Sequence, residues 1–185
     1  MKIQVDRNIH IELLVPAFAE RLYTLTNQNR VYLKQWLAWL DLVKTFEDTE
    51  TFIETAVHQH NHNQATTFAI IYHDKLVGLA GFNHFDYQHN LGAIGYWLCA
   101  SCNGKGVMTR VVEKLLEYGF VENRLNKIEI RCAQQNVKSR AIPERLGFTY
   151  EATLRQCEWL YDKYVDHAIY SLLASEYKPS KRPDC

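Results

Sequence analysis

The chain has 185 residues, 47% hydrophobic and 23% charged, enough to bury one sizeable core and too apolar for a disordered protein. Lysine plus arginine equals aspartate plus glutamate at 21 each, so no net field draws the chain onto nucleic acid or an anionic membrane. Met1 to Leu14 carries Asp6, Arg7, His10 and Glu12 where a signal peptide would be apolar, and no stretch reaches the roughly 20 apolar residues of a bilayer span, so a cytoplasmic protein is expected.

The alternation of Ile9, Ile11 and Leu13 predicts a first strand. Pro16 then opens a helix with Phe18, Leu22 and Leu25 on one face. After Asn29 a second, aromatic-rich helix is expected from Tyr32 through Trp36 and Trp39 to Leu40. Thr45 and Asp48 read as a capping pair for a third helix that runs toward His62. The texture then becomes β-rich. Strands are expected over Thr67–Tyr72 and Leu76–Phe82, joined by a hairpin at His73-Asp74-Lys75, and over Ala93–Leu98 after the turn Asn90-Leu91-Gly92. Val107, Val111, Val112, Leu115, Leu116 and Phe120 keep helical spacing. A strand over Lys127–Cys132, a short helix ending at Gly147, and two strands over Phe148–Glu158 and Val165–Leu173 complete the pattern. The expectation is one α/β (α+β) domain over residues 1–177, a mixed central sheet flanked by helices, with a flexible tail over 178–185.

The chemistry is concentrated after the third β-rich run, where Trp97-Leu98-Cys99 leads through Ala100-Ser101-Cys102-Asn103 into Gly104-Lys105-Gly106 and then Val107-Met108-Thr109. Two glycines let backbone N–H groups turn into one concavity, and the helix that follows adds the positive end of its dipole. Such a loop holds a phosphate or pyrophosphate. A Walker A loop would need glycine at Cys99 and a hydroxyl residue at Gly106, and a dinucleotide fingerprint a glycine at Thr109, so both nucleotide motifs fail. An ordinary strand-to-helix turn remains the plain alternative on this loop alone.

Other segments bear on that choice. Gly104-Lys105-Gly106 resembles the second half of the Q/R-x-x-G-x-G/A signature of the GNAT N-acetyltransferases. Ile94-Gly95-Tyr96-Trp97-Leu98 is similar to the preceding strand in the RimJ/RimL branch, which acetylates N-terminal amines of ribosomal proteins. Asn136-Val137-Lys138-Ser139 with Leu146-Gly147-Phe148 resembles the N-x-x-S…LGF block. Glu158-Trp159-Leu160 and Tyr164-Val165-Asp166-His167 resemble the branch's last hairpin, and Trp36 to Asp41 with Glu47-Asp48-Thr49 its N-terminal helices. The resemblance covers residues 9–174 and implies the acyl-CoA N-acyltransferase fold.

It also implies acetyl-CoA as cosubstrate and direct attack by an amine. Leu98, Cys99, Gly104, Lys105, Gly106, Val107, Met108, Thr109, Asn136 and Ser139 are the cofactor-binding residues so implied. Backbone N–H groups near Leu98 and Cys99 would polarise the thioester, Asn136 would hold the pantetheine arm, and Ser139 would hydrogen-bond the leaving sulfur. Asn136 and Ser139 can also be read as helix caps. Two residues depart from the pattern: Ser101 stands at the Q/R position, and Ala93 where many relatives carry a glutamate base. The base is therefore open among Glu158, Tyr150 and His84. Trp36 and Trp39 can wall a substrate cleft, with Glu158, or be core.

No metal is expected: His58 and His62 share a helical face without an acidic partner, and Cys99-x-x-Cys102 lacks a second ligand pair. The five scattered cysteines, which include Cys132, Cys157 and Cys185, read as reduced thiols. Cys99 or Cys132 as an acyl carrier lacks an evident partner base. The acceptor is expected to be a protein N-terminus, with a small amine such as a polyamine or antibiotic, or a non-catalytic acyl-CoA-binding module, as alternatives. Membrane and nucleic acid are not expected partners, whereas a homodimer is possible.

Overall fold

Strands β1 (Lys2–Asp6) and β2 (Ile9–Leu13) open the fold in the computed structural model, which describes residues 1–179. Helices α1 (Ala19–Leu33) and α2 (Phe46–Asn61) follow, then β3 (Thr66–Tyr72), β4 (Lys75–Asp86) and β5 (Leu91–Leu98). Helix α3 (Val107–Glu117) leads to β6 (Lys127–Ala133), and α4 (Val137–Arg145) to β7 (Thr149–Leu160) and β8 (Lys163–Leu173). The tail expected to be flexible lies, from residue 180 on, outside the described residues.

The strands form one sheet in the order β1-β2-β3-β4-β5-β6-β8-β7. Every neighbouring pair is antiparallel except β5 and β6, which run parallel. Alternation along β3 shows how the sheet is buried on both faces. Phe68 and Ile70 pack with Val107, Val111 and Leu115 of α3. Ala69 and Ile71 point the other way and pack with Leu22 of α1 and Ile53 of α2. A two-sided sheet of this kind needs runs of apolar residues, and β4 supplies one in Leu76 to Phe82.

The β5–β6 pairing is short. It joins Leu91 to Lys127 and ends at Ile94 with Ile130, although β5 continues to Leu98. On its other edge β5 stays paired with β4 as far as Leu98 opposite Gly78. The sheet therefore opens between β5 and β6 from Gly95 onward.

Four local expectations change. Lys2–Asp6 is a strand ahead of the first one expected; Ile3 lies opposite Ile11, and the short edge strand depends on that partner. Helix α1 runs straight through Asn29, which donates its side-chain amide to Leu25 O at 2.9 Å and accepts the Ala100 N–H at 3.0 Å. The expected second helix is instead a turn and a 3-10 segment, Ala38–Asp41. Arg30 claims the Leu40 and Val43 carbonyls at 2.6 and 2.7 Å, and Tyr161 donates to Leu37 O at 2.6 Å, so tertiary bonds override the helical spacing of Leu33, Trp36, Leu37 and Leu40. The helix at Val107 extends to Phe120 only as a π-turn over Tyr118–Glu122. Thr45 and Asp48 do form a reciprocal capping box at the start of α2.

Candidate active site

The opening between β5 and β6 exposes backbone. Cys99 donates its N–H to Val77 O at 2.8 Å, which makes this position and every second one before it face β4. The Leu98 N–H therefore points toward the missing β6 neighbour, into the gap. Of the two amides expected near the thioester, Leu98 supplies the open one and Cys99 is committed to the sheet.

The chain then turns through a short 3-10 segment, Ala100–Cys102, into the glycine loop. Gly104 and Gly106 adopt φ of 74° and 70°, a left-handed conformation that costs an ordinary residue about 1–2 kcal/mol. Gly106 is the N-cap of α3, and no side chain caps the helix there, nor is any acidic residue in its first turn. The first-turn amides thus face outward as an anion site. Arg110 braces the loop from behind: it donates to the Lys105 and Gly106 carbonyls at 3.0 and 3.2 Å and pairs with Asp6. Thr109 accepts from Arg145 at 2.8 Å, which brings a second cation from α4 beside the start of α3.

Helix α4 forms the facing wall. Asn136 is its N-cap, and its Oδ1 accepts the Ser139 N–H at 3.2 Å. Capping uses only the oxygen of the amide, so its NH2 remains available as a donor. Arg140 ties α4 to β8 through Tyr170 at 2.8 Å, and Tyr170 donates to Glu144 at 2.6 Å. Ser139 meets Tyr96 of β5 twice: Tyr96 Oη donates to Ser139 O at 3.0 Å, and Ser139 Oγ to Tyr96 Oη at 3.4 Å. Burial pushes the Tyr96 phenol well above its ordinary value, with the Ser139 contact opposing.

Two cavities meet at this point, and both are lined by Trp36, Leu37, Tyr96, Trp97, Asn136 and Ser139. The smaller, about 90 Å³, adds Tyr32, Leu98, Asn103, Met108, Lys138 and Ile142 among others. The larger, about 580 Å³, adds Trp39, Phe52, Arg131, Cys132, Glu158 and His167 among others. Leu98, Met108, Asn136 and Ser139 thus line the smaller cavity. Cys99, Gly104, Lys105, Gly106, Val107 and Thr109 make up the adjoining loop and first helical turn.

Trp36 and Trp39 are half-buried and wall the larger cavity, where Trp39 packs against Trp97 with ring centroids 6.5 Å apart. Among the residues weighed as bases, Glu158 lies in that cavity, whereas His84 and Tyr150 are exposed and line neither. Glu158 is aimed by a bulge in β7: the register shifts between Leu154 and Glu158, and Gln156 takes φ of 49°. Its Oε2 lies 2.9 Å from His167 Nε2 of β8. Tyr96 and His167 stand inside longer motifs of the sequence with no local sign of a role. Their partners are 43 and 9 residues away, a proximity no local pattern encodes.

Cys132 lines the larger cavity, but burial raises its thiol and its contact with Ser139 only partly offsets this, which disfavours a thiolate nucleophile. His58 and His62 stack with ring centroids 4.1 Å apart, and His60 contacts Thr66. Among the described residues no cluster of His, Cys, Asp and Glu is arranged to hold a metal ion.

Known proteins are similar to this chain in sequence and fold. The profile of the acetyltransferase (GNAT) domain matches residues 9–149. The ribosomal-protein-serine acetyltransferase of Escherichia coli (strain K12) is 30% identical over 169 residues, 91% of this chain and 94% of its own length. YdaF of Bacillus subtilis (strain 168) is 34% identical over 179 residues, 96% of this chain and 98% of its own. The structure of RimL, a ribosomal L7/L12 alpha-N-protein acetyltransferase in complex with coenzyme A, superposes with a TM-score of 0.91 at 25% identity, covering 94% of this chain and 98% of that one. The open β5 edge, the uncapped glycine loop and the α4 wall fit a long phosphate-bearing thioester, and with the family match over most of its length the chain belongs to the GNAT family as an acetyl-CoA-dependent N-acetyltransferase of the RimJ/RimL-like branch.

Proposed function

We propose that the acceptor is the free α-amine of a protein N-terminus, a ribosomal protein in particular, and that it attacks the thioester directly with no covalent enzyme intermediate. The observation that carries this reading is the larger cavity, which joins the cofactor side at Ser139 and holds the Glu158–His167 pair. An α-amine titrates near 7.7–8.0 and a lysine near 10.4, a difference of roughly 2.5 units or about 3.5 kcal/mol. A carboxylate paired with histidine, without the glutamate that Ala93 replaces, suits the acceptor that is easier to deprotonate. The relatives named for ribosomal-protein acetylation support the same choice.

In this reading Glu158, held by His167, takes the amine proton. The Leu98 N–H polarises the carbonyl that acquires charge. Asn136 donates its side-chain NH2 to the pantetheine arm, and the Ser139 hydroxyl hydrogen-bonds the departing sulfur. Trp36, Trp39 and Trp97 shape the acceptor entrance and exclude water. The chain works as one domain, in the cytoplasm, with neither nucleic acid nor membrane as partner; its charge is balanced, and no helix among the described residues is long and apolar enough to cross a membrane. A homodimer is compatible with this arrangement.

The deciding experiment measures free coenzyme A thiol released from acetyl-CoA with N-terminal peptides, lysine, polyamines and aminoglycosides. Turnover is expected with peptides bearing a free α-amine and lost when that amine is blocked. Turnover confined to polyamines or antibiotics overturns the acceptor assignment, and binding of acetyl-CoA with no turnover on any amine overturns the catalytic roles.

A further inference from the structure

Proline inside a helix is ordinarily destabilising because it removes a backbone donor and crowds the carbonyl four residues earlier. Pro143 lies inside α4, and the carbonyl four residues earlier is that of Ser139. That carbonyl accepts instead from Tyr96 Oη at 3.0 Å, across from β5. A phenol has one proton. Committed to the carbonyl, it leaves the Tyr96 oxygen as an acceptor, and Ser139 Oγ donates to it at 3.4 Å.

We propose that Pro143 and Tyr96 together are positioning residues that aim the Ser139 hydroxyl proton at the junction of the two cavities. This rests on the role given to Ser139 above. Pro143 frees the carbonyl, the carbonyl fixes the direction of the Tyr96 O–H, and Tyr96 in turn fixes the direction of the Ser139 O–H. An arriving sulfur competes for one weakly held proton already pointed into the site. Tyr96 is not itself the donor to sulfur, because its one proton is already given to the Ser139 carbonyl at 3.0 Å. The 3.4 Å contact is long enough for the serine hydroxyl to exchange partners without breaking a strong bond.

The test compares Pro143→Ala, Tyr96→Phe, their double variant and Ser139→Ala in the full chain, by thermal unfolding and by steady-state kinetics. Pro143→Ala gives the helix back its donor, so it is expected to keep or raise Tm while kcat falls about ten- to a hundredfold through misplacement of the hydroxyl. KM for acetyl-CoA is expected to stay within about twofold, since ground-state binding is untouched. Tyr96→Phe should lower kcat similarly, and the double variant should lose no more than either single. Tyr96→Phe should also lower Tm in the wild type but much less beside Pro143→Ala. Equal Tm losses in both backgrounds overturn the exchange of hydrogen bonds. Additive kcat losses, or wild-type kcat in Pro143→Ala or Tyr96→Phe while Ser139→Ala is impaired, overturn the positioning role alone. Wild-type turnover in Ser139→Ala overturns the role of Ser139 and the positioning role with it.

Discussion

The two cavities that meet at Tyr96 and Ser139 are built from different materials. The side proposed for the cofactor is mostly backbone: an unpaired strand edge, two left-handed glycines and an uncapped helix start, contributed by the continuous run from Leu98 to Thr109. The acceptor side is mostly side chains, and they arrive from separate places: Trp36 and Trp39 from the turn after α1, Phe52 from α2, Cys132 from β6, Glu158 from β7 and His167 from β8. A backbone site recognises a group every substrate of the family shares. A side-chain site assembled from many elements can change one residue at a time, so in the proposed reading specificity belongs on that side.

The largest expected effect tests the acceptor side. Glu158→Gln keeps a hydrogen-bond partner for His167 but cannot take a proton, and kcat with the preferred peptide is expected to fall about 10²- to 10⁴-fold with KM for acetyl-CoA nearly unchanged. An unaltered kcat would place the base elsewhere and blur the division between the two cavities.

The cofactor side should respond in the opposite parameter. Gly106→Ala must hold φ near 70°, a strain of about 1–2 kcal/mol, so KM for acetyl-CoA is expected to rise about tenfold while kcat changes little. A large drop in kcat would mean that the loop also positions the reacting carbonyl.

The smallest effect separates scaffold from site. Asp48 accepts the Thr45 and Lys44 N–H groups at 2.9 Å each, and these bonds hold its carboxylate below the ordinary range. A lowered folded value means that the charged cap stabilises above the unfolded value and is lost as pH falls through the folded one. The Tm advantage of wild type over Asp48→Asn is therefore expected to be complete above about pH 5, to begin shrinking as pH falls past the unfolded value of about 3.9, and to disappear only below the lowered folded value. At neutral pH Thr45→Ala should lower Tm by about 2–4 °C, with kinetics at 25 °C unchanged. Because Thr49 and Phe52 of the same helix line the larger cavity, a change in acceptor KM would instead tie the cap to the acceptor side.

How much was legible follows the same division. The glycine loop, the N-cap at Asn136 and the capping box at Thr45 depend on neighbours within a few residues, and sequence spacing reveals them. The aromatic run from Tyr32 to Leu40 reads as helix because its spacing is helical, yet Arg30 and Tyr161 take its carbonyls and turn it into a cleft wall. Pro143 has no local sign of a role, because the partner of the carbonyl it leaves free is Tyr96, 43 residues away from Ser139 in the chain.

The sequence by itself determined most of the order of strands and helices from β2 onward, the glycine loop that opens α3, and the family, because apolar period, glycine placement and local capping are short-range physics. Tertiary structure alone decided where β5 parts from β6, that Leu98 rather than Cys99 keeps a free amide, and that Glu158 meets His167. Those outcomes follow from register, a β-bulge and long-range hydrogen bonds, whose partners lie far apart in the chain and are chosen only when the sheet closes around them.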